Sequence, residues 1–189
     1  MARVQISNLT TWSSVCSFII KKLRTHGVEY IRSGGDRTKI NTQRAVSQEA
    51  IASKINTTKA VYSKIENSDI VINIFHISSI CSVFDISVVE FMEFVEQKVK
   101  ALEEEGIEVK QGKVPFRLDS IRWMEKLKEK ASAKYNSKIR ELKKNKELSI
   151  FDDEDQLTTI RNECKQEAYE ELEAKFSLED ALKEYHESQ

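Results

Sequence analysis

The side chains that most often carry catalysis or hold metals are few and scattered in this sequence. Cys16, Cys81 and Cys164 are odd in number, lie far apart and match no C-x-x-C spacing. They are expected to be reduced thiols, buried as small apolar groups. His26, His76 and His186 are just as dispersed, so no metal and no cofactor are expected. Gly34-Gly35 precedes Asp36-Arg37-Thr38-Lys39 in a polar loop, with the wrong spacing for a phosphate cradle. No nucleophile, base or metal constellation stands out, and the chain does not read as an enzyme. What remains is cationic chemistry. Arg32, Arg37, Lys39 and Arg44 fall in one polar interruption, residues 28–45. They form either an auxiliary arm that grips phosphate or enters a minor groove, or a surface loop.

Charge is balanced in sum and unbalanced in place. The formal net charge is -1. Residues 1–64 carry +8, 65–105 carry -7, 106–146 carry +8 and 147–189 carry -10. Positive blocks attract phosphates. Alternatively, basic and acidic helices pair within one molecule, or each presents a solvated face.

The elements that position these residues are expected to be helices. The 189 residues are 40% hydrophobic and 32% charged, with five Gly and one Pro, Pro115. That composition supports a core and excludes collagen-like, linker-like and turn-rich β designs. No apolar run is long enough to span a bilayer. The polar start, Met1 to Gln5, lacks a signal-peptide core, so a cytoplasmic protein is expected.

Val15, Ile19 and Leu23 predict a first helix over about 11–26, closed by Gly27. Ser47 caps a second helix with Ile51 and Ile55 on one side. Asn56 stands where the chain turns sharply. Thr57 or Thr58 then caps a third helix ending near Glu66-Asn67. Its inward positions are expected to be Val61 and Ile65, with Tyr62 partly buried. Asn73 opens a fourth helix carrying Ile74, Ile77, Ile80, Cys81 and Phe84. In the fifth, Val88, Met92, Val95, Val99 and Leu102 are spaced 4, 3, 4, 3. That seam suits either packing on its own domain or a helix–helix dimer.

The unbroken stretch from Ser47 to Asn67 resembles the core of lambda-repressor-like helix-turn-helix proteins, the Xre or Cro/repressor family. Gln48 opens helix 2, Thr57-Thr58 open helix 3, and Glu66-Asn67 close it. Ile77-x-x-Ile80-Cys81-x-x-Phe84-Asp85-Ile86-Ser87 and Ile20-Lys21-Lys22-Leu23-Arg24 resemble the flanking family segments. The chain departs from the pattern in four ways. It carries the 28–45 insertion, and it has Asn56, Ser68 and Asp85 where glycines are usual. The pair that the family forms between a helix-1 arginine and the helix-3 glutamate would here be Arg24 and Glu66, with Arg24 one place off its usual distance from Gly27.

The resemblance implies a double-stranded DNA partner, with helix 3 in the major groove and helix 2 across the phosphates. It places Gln48 at a phosphate or at the edge of the site, and Thr57, Thr58 and Asn67 at the backbone. Lys59, Ala60, Ser63 and Lys64 fall where relatives read base edges. Lysine donates to guanine, and an alanine methyl meets a thymine methyl. The function implied is a transcriptional regulator of repressor type, acting by operator occupancy as a homodimer. The alternative is an antitoxin-like or other interaction protein whose C-terminal helices bind a protein partner.

The second half predicts two amphipathic helices. Ile121, Met124, Leu127, Ala131, Tyr135, Ile139 and Leu142 form one stripe. Leu157, Ile160, Cys164, Ala168, Leu172 and Phe176 form the other. One stripe is framed by Lys/Arg and the other by Glu/Asp, which suits an antiparallel hairpin. Ser177 to Asp180 resembles a capping box for a last short helix. The expected architecture is all-α. A five-helix lambda-repressor-like domain spans 1–105, and a long helical hairpin or coiled-coil-like region spans 106–189 for dimerisation or partner binding.

Overall fold

The computed structural model describes residues 8–36, 38, 46–144, 154–176, 181 and 187. The chain divides into two units, one covering Asn8–Val114 and one covering Pro115 onward.

In the first unit, α1 (Trp12–His26), α3 (Gln48–Lys54), α4 (Lys59–Glu66), α5 (Ile74–Val83) and α6 (Val88–Glu104) each open on a capping side chain. Thr11, Ser47, Thr58, Asn73 and Ser87 accept the backbone N–H groups of Ser14, Ala50, Val61, His76 and Glu90. Each such cap stabilises its helix by about 1 kcal/mol. Of the polar interruption, residues 28–32 fold as a short helix, α2 (Val28–Arg32). The three positions that lack the usual glycine all adopt left-handed backbone: Asn56 at φ 53°, Ser68 at 57° and Asp85 at 52°. The sharp turns are therefore kept at some conformational cost, which asparagine and aspartate tolerate better than most residues.

These turns let α1, α3, α4, α5 and α6 converge on one core. Val15, Ile20, Leu23, Ile51, Tyr62, Ile65, Ile80, Phe91 and Val95 are fully enclosed. Of the α6 seam, Val95 and Leu102 are buried together with the flanking Phe91 and Phe94, whereas Val88, Met92 and Val99 are half-buried. The sequence predicts an all-α chain, yet β1 (Leu9–Thr11) pairs in parallel with β2 (Glu108–Lys110). This short ladder joins the two ends of the unit, so the unit continues past Gly106 to Val114.

In the second unit, α7 (Ser120–Lys144) and α8 (Glu154–Lys175) form an antiparallel hairpin. The direction follows from the ion pairs across the seam. Lys130 meets Glu171 at 2.9 Å, Lys134 meets Glu171 at 2.5 Å, and Lys138 meets Glu163 at 2.7 Å. Numbers rise on one helix as they fall on the other. The core is Trp123, Leu127, Ala168 and Leu172. Trp123 lies one place outside the stripe read from the sequence, whose Ile121 and Met124 are only half-buried. Phe116 and Tyr169 pack on the indole, and the buried Arg117 guanidinium lies 4.0 Å from the Trp123 ring centroid while pairing with Glu173. Aromatic packing and a stacked guanidinium add to the narrow apolar core at this end of the hairpin. The capping box at 177–180 lies outside the described residues.

Two outcomes follow. Replacing Asp85 with Gly relieves the left-handed strain and raises stability by about 0.5 kcal/mol, whereas Asp85→Val lowers it by about 1–2 kcal/mol, as read by urea unfolding. Hydrogen bonds from Lys134 and Lys130 hold the Glu171 carboxyl down at about 2. A depressed carboxyl contributes to the seam above its unfolded value and loses that contribution as pH falls through its folded value. The Glu171 carboxyl carbon therefore titrates near 2 in an NMR experiment, and Lys130→Gln with Lys134→Gln returns its midpoint towards the ordinary 4.5.

Candidate nucleic-acid interface

α3, the turn at Asn56 and α4 stand in the helix-turn-helix order. Ile51 and Ala52 of α3 and Tyr62 and Ile65 of α4 are buried. The inward face of α4 differs from the sequence expectation: Tyr62 is fully enclosed and Val61 only half-buried. With the helix starting at Lys59, the buried positions are 62, 65 and 66. A tyrosine there fills the space next to a buried carboxylate.

That carboxylate belongs to Glu66, whose side chain is 1% exposed. Arg24 of α1 donates from Nε to Glu66 Oε1 at 2.5 Å and from Nη2 to Oε2 at 3.0 Å. Gln48 of α3 donates from Nε2 to Oε2 at 2.7 Å. Arg24 Nη1 also donates to the Val46 carbonyl at 3.3 Å, and Val46 N–H donates to the Arg24 carbonyl at 3.2 Å. Burial opposes the Arg24 charge, but the hydrogen bond and the charge of Glu66 outweigh it and hold the guanidinium above its ordinary range. Burial, followed by the Glu66 charge, pushes the Tyr62 hydroxyl well up. A second tie reaches the same end of α4. Ser17 Oγ donates to the Ile65 carbonyl at 2.5 Å, and Ser68 Oγ hydrogen-bonds to Ser17 Oγ at 2.8 Å.

With Tyr62, Ile65 and Glu66 inward, the opposite face of α4 is open. Lys59, Ala60 and Lys64 are exposed, Ser63 is half-buried, and the flanking Asn67 is exposed. Their spacing of three and four residues puts them on one side of the helix. Thr58 is exposed and caps α4, while Thr57 is half-buried. Gln48 sits at the seam between α3 and α4, engaged with Glu66. Arg32 is drawn to Glu29 and Glu90, each at 2.7 Å, which anchors α2 to α6. Arg37, Lys39 and Arg44 lie outside the described residues. The Ser17 and Val46 ties went unread in the sequence, where a core serine and a loop carbonyl give no signal.

Cys16, Cys81 and Cys164 are free and buried. Burial raises the Cys16 thiol to about 12 and the Cys81 thiol to about 11, so neither is a ready nucleophile. Among the described residues, no single helix is long and apolar enough to cross a membrane.

Residues 39–91 match the helix-turn-helix family model. The N-terminal half carries a helix-turn-helix domain of the Xre/lambda-repressor-like kind. The match runs from the approach to α3 into the start of α6. No curated protein and no solved structure matches the chain. The helix-turn-helix domain supports a DNA-binding transcription regulator in general.

The buried Arg24–Glu66–Gln48 cluster makes a stability prediction. Arg24→Met leaves a buried carboxylate short of its main partner and lowers the stability of the first unit by about 3–5 kcal/mol. Adding Glu66→Leu recovers part of that loss. Urea unfolding of the full chain, followed through resonances of the first unit, reads both changes.

Proposed function

We propose that the protein is a sequence-specific regulator of repressor type that works by occupying double-stranded DNA. The single observation that carries this reading is the open polar side of α4, held outward by the buried Glu66 at its end. A helix of this kind fits the major groove, with its outward side chains at base edges. Lys59 and Lys64 would donate to bases or phosphates, Ala60 would meet a thymine methyl, and Ser63 would add a weakly selective hydrogen bond. Thr57, Thr58 and Asn67 would contact the backbone. Gln48 would serve mainly through Glu66, fixing α3 against α4. Binding alone would block transcription, with no bond made or broken.

We further assign the active species as a dimer on two half-sites one helical turn apart. Val95 and Leu102 of the α6 seam are taken up within their own unit. Among the described residues, Val71, Ile74 and Phe75 remain as exposed large apolar side chains within five positions of one another, just beyond α4. Phe75 is 78% exposed. Such a cluster on a charge-rich chain suits a self-complementary contact with a second copy.

Two measurements test the reading. On a duplex selected from a random pool, Lys59→Ala with Lys64→Ala weakens binding by about 2–4 kcal/mol and flattens the salt dependence, while Lys126→Ala with Lys128→Ala changes neither. Unchanged affinity in the first double variant overturns the assignment of α4. In light-scattering and mobility-shift experiments, Phe75→Glu shifts the protein towards monomer and lowers affinity for the two-half-site duplex. A wild-type protein that is monomeric at all concentrations, with and without DNA, overturns the dimer.

A further inference from the structure

α7 carries a wider apolar stripe than α8 covers. Trp123 and Leu127 are enclosed at one end of the hairpin. Met124, Ala131, Tyr135, Ile139 and Leu142 of the same helix stay half-buried. At the usual helical rise these five run over about 27 Å. The first three of them, with Leu127, floor a groove of about 450 Å³ between α7 and α8. The cations of the hairpin fall into two sets. Lys130, Lys134 and Lys138 are each matched by a glutamate of α8. The groove is lined instead by Lys128, Arg161 and Lys165, and among its described lining residues there is no aspartate or glutamate. Lys128 reaches Glu125 of its own helix at 3.5 Å. Arg161 and Lys165 are exposed, and the Arg161 guanidinium lies 5.4 Å from the centroid of the Tyr135 ring. Among the described residues, neither Arg161 nor Lys165 has a carboxylate partner.

A furrow between two antiparallel helices accepts the side-chain ridge of a third. The small Ala131 side chain in the floor lets such a helix come close. The lining cations select its charge, because acidic residues beside an apolar ridge would meet Arg161 and Lys165. A second copy of the chain is the wrong occupant. A two-fold contact sets one face against itself, which would bring these cations together. We propose that the groove between α7 and α8 binds an acidic amphipathic helix of a partner protein. The apolar ridge of that helix lies on Met124, Ala131 and Tyr135, and its carboxylates meet Arg161 and Lys165. The site stands apart from the DNA-binding reading and does not depend on it.

The test uses the full chain and a fluorescein-labelled peptide of about 20 residues, long enough to form a helix. Leucine stands on one face of the peptide at helical spacing, with glutamate and alanine elsewhere. A second peptide has glutamine in place of glutamate, and a third has the acidic composition with its leucines out of helical register. Fluorescence anisotropy at physiological salt is expected to show saturable binding of the first peptide below about 100 μM. The other two bind more weakly by at least about tenfold. Amide chemical shifts gather on α7 and α8. Arg161→Glu with Lys165→Glu, both at exposed positions, removes the preference for the acidic peptide over the glutamine one and leaves the mass from light scattering unchanged. Equal affinity of the native chain for the three peptides overturns the proposal, as do shifts gathered elsewhere. No saturation up to about 1 mM overturns it too, including where the chain's own end fills the groove. A fall in mass on the double substitution assigns the groove to a second copy and overturns it as well.

Discussion

The first unit depends on one buried carboxylate. Glu66 sits at the last turn of α4 and takes three hydrogen bonds, two from Arg24 and one from Gln48. A carboxylate with its side chain 1% exposed is tolerable only when its oxygens are fully engaged. Because its partners come from α1 and α3, satisfying the charge fixes three helices at once. The Arg24–Val46 bonds extend the same constraint to the start of α3. Glu66 therefore sets which side of α4 turns inward. Lys59, Ala60 and Lys64 stand outward because Tyr62, Ile65 and Glu66 cannot.

Much of this was legible in the sequence because the signals are local. Ser47 and Thr58 announce helix starts, and each does cap one. Asn56 marks the turn, and its positive φ is the reason a glycine is usual there. Two kinds of feature were not legible. One is register where apolar residues are adjacent: Val61 beside Tyr62, and Ile121 and Met124 around Trp123, allow either of two stripes. In both cases burial went to the larger aromatic ring. The other is long-range pairing. The strands Leu9–Thr11 and Glu108–Lys110 are three residues each and nearly a hundred residues apart, too short to leave a pattern. The exposed side of α4 follows from resemblance plus periodicity. The engagement of Gln48 with Glu66 does not, since it needs the third dimension.

The two units hold together by different physics. The first closes around aliphatic and aromatic side chains drawn from five helices. The hairpin has a narrow core and a ladder of Lys–Glu pairs along its seam. Exposed pairs of this kind add little stability singly and weaken with salt, but they select one register and one direction for two oppositely charged helices. The opposite charges of α7 and α8 act here as a pairing code. In the first unit, the positive block spans α1, α3 and α4, where it meets the open face of α4.

The central claim is that the outward side of α4 is the surface that meets a duplex. Titrating the isotopically labelled full chain with a duplex selected from a random pool, and following every backbone amide, tests it most directly. The account predicts that the largest shifts fall between Thr57 and Asn67 and at the start of α3, and that they fade as salt is raised. Shifts that gather on α7 and α8 and leave α4 unmoved would contradict it.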